Sequence, residues 1–245
     1  VLLAVSGLGI GTTYGLFGAG GSAMATPVLA LLGVPPLAAV ASPLPATLPG
    51  ALVGAWTHMR RGGVDFGAVR LVVAVAAPAA IAGAVLSTAV PGAALLAASG
   101  VLLAVVGVRL LASAPARAHP GPAAPTRTRL AAAAGVGLFT GLLANSGGFL
   151  LVPYFLLVAG LGMRRAAGTS LLAAATIGIP TAAAHWAVGH IDWAVASAFA
   201  TGLVPGSAVG SRLAGSLPPE RVTRAFGVLL LAFALWFAGR EMAGR

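Results

Sequence analysis

The sequence predicts an all-α polytopic membrane protein made of two homologous four-segment halves. Three observations lead there. Apolar residues make up 59% of the 245-residue chain and charged residues only 7%, against roughly 45–50% and 25% in soluble domains. The runs Val1 to Thr57, Leu71 to Val108, Leu130 to Met163 and Trp193 to Ser211 hold no Asp, Glu, Lys or Arg. About 20 apolar residues span a bilayer, so several runs contain more than one crossing or a break. Finally, sliding the chain on itself by 126 to 127 residues aligns its most distinctive stretches, the mark of an internal repeat.

That self-match sets Gly15 to Gly21 and Pro27 on Gly141 to Gly147 and Pro153. It sets His58 and Val64-Asp65-Phe66 on His185 and Ile191-Asp192-Trp193, then Pro78, Gly83 and Pro91 on Pro205, Gly210 and Pro218. One single-residue slip between Pro27 and Ser42 suffices. Residues 1–112 form the first repeat and 130–245 the second. The Pro- and Ala-rich stretch between them, 113–129, carries Arg117, His119, Arg127 and Arg129 and reads as a cytoplasmic linker.

Each half divides into four apolar segments. In the first they run Val1 to Leu32, Pro36 to Thr57, Phe66 to Thr88 and Ala93 to Leu111. In the second they run Leu130 to Ala159, Ala166 to Val188, Trp193 to Gly215 and Arg221 to Ala238. Continuous apolar runs, rather than period-two alternation, exclude a membrane barrel. No basic stretch precedes the N-terminal apolar residues, so no signal peptide is expected, and Val1 in place of Met leaves room for a short leader.

The first segment of each half exceeds one upright helix and is interrupted by glycine, so charge decides whether it crosses or turns back. In the first half arginine follows segment two (Arg60, Arg61). In the second it follows segments one and three (Arg164, Arg165, Arg221, Arg224), and Gly189-His190 after segment two has none. Under the positive-inside rule this reversal predicts inverted halves, each with a broken or re-entrant first segment. The paired arginines and the linker then face the cytoplasm and both termini lie outside. Arg240 and Arg245 run against that pattern.

The net charge of +10 is carried by arginine alone. Its clustering at segment ends fits membrane orientation rather than nucleic acid, which is not expected as a partner. Cysteine is absent, so neither disulfides nor thiolate metal sites exist. Four scattered histidines and four acids form no ligand set, and no cofactor is expected. Ser146 with His185 raises an intramembrane serine protease, but the repeat puts Gly20 at the serine position while keeping His58.

Candidate binding groups lie at the two breaks. Gly20, Gly21 and Ser22 interrupt segment one, and Asn145, Ser146, Gly147 and Gly148 interrupt segment five. A helix restarting at membrane depth presents unpaired N–H groups, which suit an anion. The second reading is that the same glycines only allow close helix packing. Ser42, Thr169 and Ser170, near the start of the second segment of each half, either cap that helix or donate to an anion. His58 and His185 each precede an aspartate by seven residues, Asp65 and Asp192. Those aspartates read first as helix N-caps, and second as proton-coupling partners of the histidines. Both pairs fall near segment ends, beside Trp56, Trp186 and Trp193, which read as interfacial anchors.

With these residues in view, the chain resembles the sulfite exporter TauE/SafE family of membrane permeases from about Gly15 to Phe237. The likeness rests on the glycine-rich breaks followed by Pro27 and Pro153 and on Gly168-Thr169-Ser170-Leu171. It rests also on His185, Gly189 and Asp192, and on Pro205, Gly206 and Gly210. Asn145-Ser146 and Ser42-Pro43 depart from the usual pattern. The resemblance implies secondary movement of a small anion, sulfite, an organosulfonate or a related sulfur compound, across the bacterial inner membrane. The residues independently suggest a symmetric, acid-poor site between the halves near the midplane. A channel is the alternative, and a homo-oligomer is compatible with either.

Overall fold

A computed structural model describes residues 1–18, 24–25, 28–29, 32–87, 104–105, 107–108, 111–112, 120–143, 148–187, 189 and 191–243. Among the described residues there is no strand. The helices are α1 (Leu2–Phe17), α2 (Pro36–Ala41), α3 (Pro43–Met59), α4 (Phe66–Leu86) and α5 (Thr126–Leu142). They continue with α6 (Gly148–Pro153), which runs into a π-helical turn at Tyr154–Val158, then α7 (Met163–Ala187), α8 (Trp193–Ser216) and α9 (Pro219–Ala243). Of these, α4, α7 and α8 are long and apolar enough to cross a membrane, and α1 is a shorter apolar helix. Leu52, Ile81, Val85, Val209 and Leu213 are exposed on their helices, the surface a bilayer covers and water would not. The molecule is a multi-pass membrane protein.

Segment boundaries follow local chemistry. Asp65 and Asp192 start α4 and α8 as N-caps. Gly18 stops α1 at φ +82°, a left-handed conformation that costs a side chain energy. The basic end of the linker is itself helical, because α5 begins at Thr126 rather than at Leu130. Likewise α7 begins at Met163 and takes Arg164 and Arg165 into its first turn.

Backbones approach closely wherever small residues repeat. Gly7, Gly11 and Gly15 of α1 lie against the backbone of Phe199, Leu203 and Ser207, while Gly202, Gly206 and Gly210 of α8 lie against Ala4, Leu8 and Thr12. The two helices therefore run parallel. In the other half Gly137 and Gly141 of α5 meet Ala76 and Ala80, and Gly83 of α4 meets Leu138, again parallel. Gly11 and Gly15 stand 126 residues before Gly137 and Gly141, so equivalent positions make equivalent contacts. This is the small-residue packing that drives helix association where lipid supplies no hydrophobic force. The first helix of each half thus packs on the third helix of the other.

The second helices cross at the centre. Leu48 of α3 meets Gly178 of α7 and Leu171 of α7 meets Gly54 of α3, so the two run antiparallel. Around them the core gathers Leu171, Ala174, Ile177, Leu151 and Phe155, with Tyr14 and with Phe17 stacked on Phe226 at 5.5 Å.

Both first segments return to the side on which they start. In segment five, Gly121 N donates to Gly160 O (2.9 Å) and Ala124 N to Val158 O (2.8 Å), so the approach to α5 is tied to the end of the π turn. In segment one, α1 and α3 both run parallel to α8, with Ser42, Gly50 and Gly54 reaching Asp192, Leu203 and Ser207 in order. The start of α3 therefore lies at the end of the bundle where α1 starts.

Candidate functional site

The described candidate residues form two clusters, one at each end of the α3–α7 crossing. The first begins at the end of α1. A helix end leaves its last carbonyls without partners, and Gly15 O receives His58 Nε2 at 3.2 Å and Ser211 Oγ at 3.3 Å. Facing a carbonyl, Nε2 carries the proton. Three residues on, Gly18 sits so close to Ser170 and Ala167 that a side chain there would collide with them. Ser170 Oγ donates to Ala167 O (2.8 Å). Beside it, Thr169 Oγ1 accepts from Asp65 N at 3.0 Å, and Asp65 Oδ1 accepts from Ala68 N at 2.9 Å.

The second cluster repeats these bonds one repeat later. Gly141 O, at the end of α5, faces His185 Nε2 at 3.3 Å. Ser42 Oγ accepts from Asp192 N at 3.0 Å, and Asp192 Oδ1 accepts from Ala194 N (2.9 Å) and Val195 N (3.1 Å). Thr169 and Asp192 each stand 127 residues after Ser42 and Asp65. The hydroxyl of each half therefore holds the aspartate backbone of the other.

Both histidines are deeply buried, His58 at 6% and His185 at 2% relative exposure, rather than lying out in the interface. The tryptophans next to them are exposed, and Trp186 packs edge-on against Trp193 at 6.0 Å. Sequence reasoning assigned Ser42 and Thr169 to their own helix or to an anion. Their oxygens instead accept from the opposite half, a partner more than a hundred residues away.

One site made of all the candidates does not assemble among the described residues. Ser170 lies near the start of α7, and the antiparallel crossing puts Ser42 near its far end, on the order of 20 Å away along the axis at 1.5 Å per residue. Gly20, Gly21, Ser22, Asn145, Ser146 and Gly147 lie outside the described residues, and Gly148 opens α6. Two buried hydroxyls escaped the sequence reading. Ser207 Oγ donates to Gly50 O (2.7 Å) and Ser211 Oγ to Gly15 O, and their four-residue spacing looked like ordinary helix packing. No group of three or more His, Asp or Glu suited to a metal occurs among the described residues.

The first cluster opens toward a face rich in arginine. Arg61 Nη1 donates to Arg212 O (3.1 Å) and Arg164 Nη2 to Gly215 O (3.3 Å). The arginine pairs of the two halves therefore meet on one side, at the C-terminal turn of α8.

Among known proteins, this chain is similar to a "Probable membrane transporter protein" of Xylella fastidiosa (strain 9a5c), 30% identical over 96% of this chain and 93% of the relative. A protein of the same description from Xylella fastidiosa (strain Temecula1 / ATCC 700964) is 29% identical over the same shares. No solved structure matches. The profile of the family described as Sulfite exporter TauE/SafE matches residues 3–237. With a match running through both clusters and both arginine pairs, the chain belongs to the sulfite exporter TauE/SafE family of membrane transporters.

Proposed function

We propose that this chain is a secondary transporter that moves a small anion, sulfite, an organosulfonate or a related sulfur compound, across the bacterial inner membrane, with no catalytic step. Its two halves are inverted, and it works by alternating exposure of a path between them. One observation carries the reading: Thr169–Asp65 and Ser42–Asp192 are equivalent bonds of equal length joining opposite halves at opposite ends of the molecule. Two symmetric closures of this kind are what alternating access needs. Opening one while the other holds exposes the path to one side only.

The candidate ligands are the backbone N–H groups around Gly20 to Ser22 and Asn145 to Gly148, with Ser170 beside the first break. The sequence has no Gly-x4-Gly-Lys motif for ATP, which favours a gradient as the energy source. Proton coupling would use His58 or His185: protonating Nδ1 leaves the Nε2–H bond to the helix end intact, so charge changes without releasing α1 or α5.

Flux of sulfite, sulfonate and thiosulfate into proteoliposomes tests the reading. Saturable uptake with counterflow is expected of a transporter, and non-saturating flux without counterflow indicates a channel. If no anion moves, or if Asn145→Leu and Gly147→Leu leave flux untouched, the proposal is wrong.

A further inference from the structure

Orientation by positive charge asks only that arginines lie on one side. It does not ask that they be fixed. Arg61, from the loop after α3, and Arg164, from the first turn of α7, come from opposite halves yet bond to carbonyls three residues apart on α8. Gly215 lies so close to the Arg61 guanidinium that a side chain there would strike it, while Arg164 bonds the carbonyl of that same glycine. Arg212 belongs to the same turn. The carbonyl end of α8 supplies partial negative charge, which favours cations at this position and offsets part of the repulsion between the two guanidiniums.

From this geometry we infer that Arg61 and Arg164, with Arg212 beside them, form a binding site for a small oxyanion on the arginine-bearing face. A guanidinium has five N–H donors in a rigid plane. All three side chains are exposed, and those of Arg61 and Arg164 are each held in place through a bond made with one nitrogen. Two forks held in this way are organised before the anion arrives, which lowers the ordering cost of binding. Of the acids on this face, Asp65 is spent on the N-cap of α4. That leaves Glu220, at the start of α9, against Arg60, Arg61, Arg164, Arg165 and Arg212. A small crevice is lined by Arg164 together with Met163, Ala167 and Leu16. Ala167 is also a neighbour of Gly18, where α1 breaks.

The recognised chemistry is a compact anionic head with several oxygens. Free sulfite or sulfate offers it, and so does a phospholipid phosphate. The anion-transport reading above, on which this assignment rests, assigns the free anion. Calorimetric titration of the full chain in neutral detergent, at ionic strength held constant with chloride, tests the site with sodium sulfite, sodium sulfate and short-chain phosphatidylglycerol in separate arms. Saturable binding of sulfite or sulfate is expected, weakened at least tenfold in R61Q and in R164Q and less in R164K, which keeps the charge but loses the fork. Equal elution volume and unfolding temperature of the variants establishes that they are folded. Unchanged affinity in R61Q and R164Q, or binding of phosphatidylglycerol alone, overturns the site. The titration needs no flux, so anion binding without transport defeats only the transport reading. Transport with no binding at these arginines defeats only the site.

Discussion

The ring of His58 does for α1 what water or a glycine motif does for helices in solution: it satisfies a carbonyl that the broken helix leaves open. Gly15 O keeps its bond from Ser211 Oγ, so losing the histidine bond is expected to cost about 0.5–1.5 kcal/mol. His58→Ala therefore lowers the unfolding temperature in detergent, and His58→Gln, which can still donate, recovers part of the loss. An unchanged unfolding temperature in His58→Ala contradicts the capping role. Asp65→Ala is expected to cost about 0.5–2 kcal/mol as a lost N-cap. The aspartate caps were legible in the sequence because capping is local, reaching two or three residues. The histidine bonds were not: Gly15 lies 43 residues from His58 and Gly141 lies 44 from His185. Spacing along one chain carries no record of such partners.

At the scale of elements, glycine decides which helices touch. A side chain at Gly11 or Gly137 would strike backbone of the facing helix, whereas Gly9 and Gly135, two residues earlier in each case, have nothing within 4 Å. Gly11→Val and Gly137→Val are predicted to abolish a monodisperse elution peak. Gly9→Ala and Gly135→Ala are predicted to be neutral or stabilising by up to about 1 kcal/mol. Equal tolerance at all four positions contradicts the packing account. The existence and order of the segments were readable from hydropathy, since runs free of charge have few alternatives in a chain this apolar. Which glycines pack and which interrupt was not readable, because both uses select the same small residue. Gly15 and Gly18 show the difference: one presses on Ser207, and the other ends its helix at positive φ.

Across the whole molecule, the exchange of first helices makes each half depend on the other. Among the described residues, α1 finds its glycine-lined partner in α8, and α5 finds its own in α4. Residues 1–112 and 113–245 produced separately are therefore expected to be degraded, while co-expression restores a stable complex measurable by co-purification. A stable isolated half argues against the exchange. The reversed arginine pattern pointed to inverted halves, and the return of segments one and five to their starting sides supports the odd number of crossings that inversion needs. The most direct measurement uses single cysteines at Pro36 and Arg165 in this otherwise cysteine-free chain, probed with a membrane-impermeant maleimide on intact and permeabilised cells. Pro36→Cys should label from outside and Arg165→Cys only after permeabilisation, and labelling of both from the same side would contradict the inverted pair on which the transport path depends.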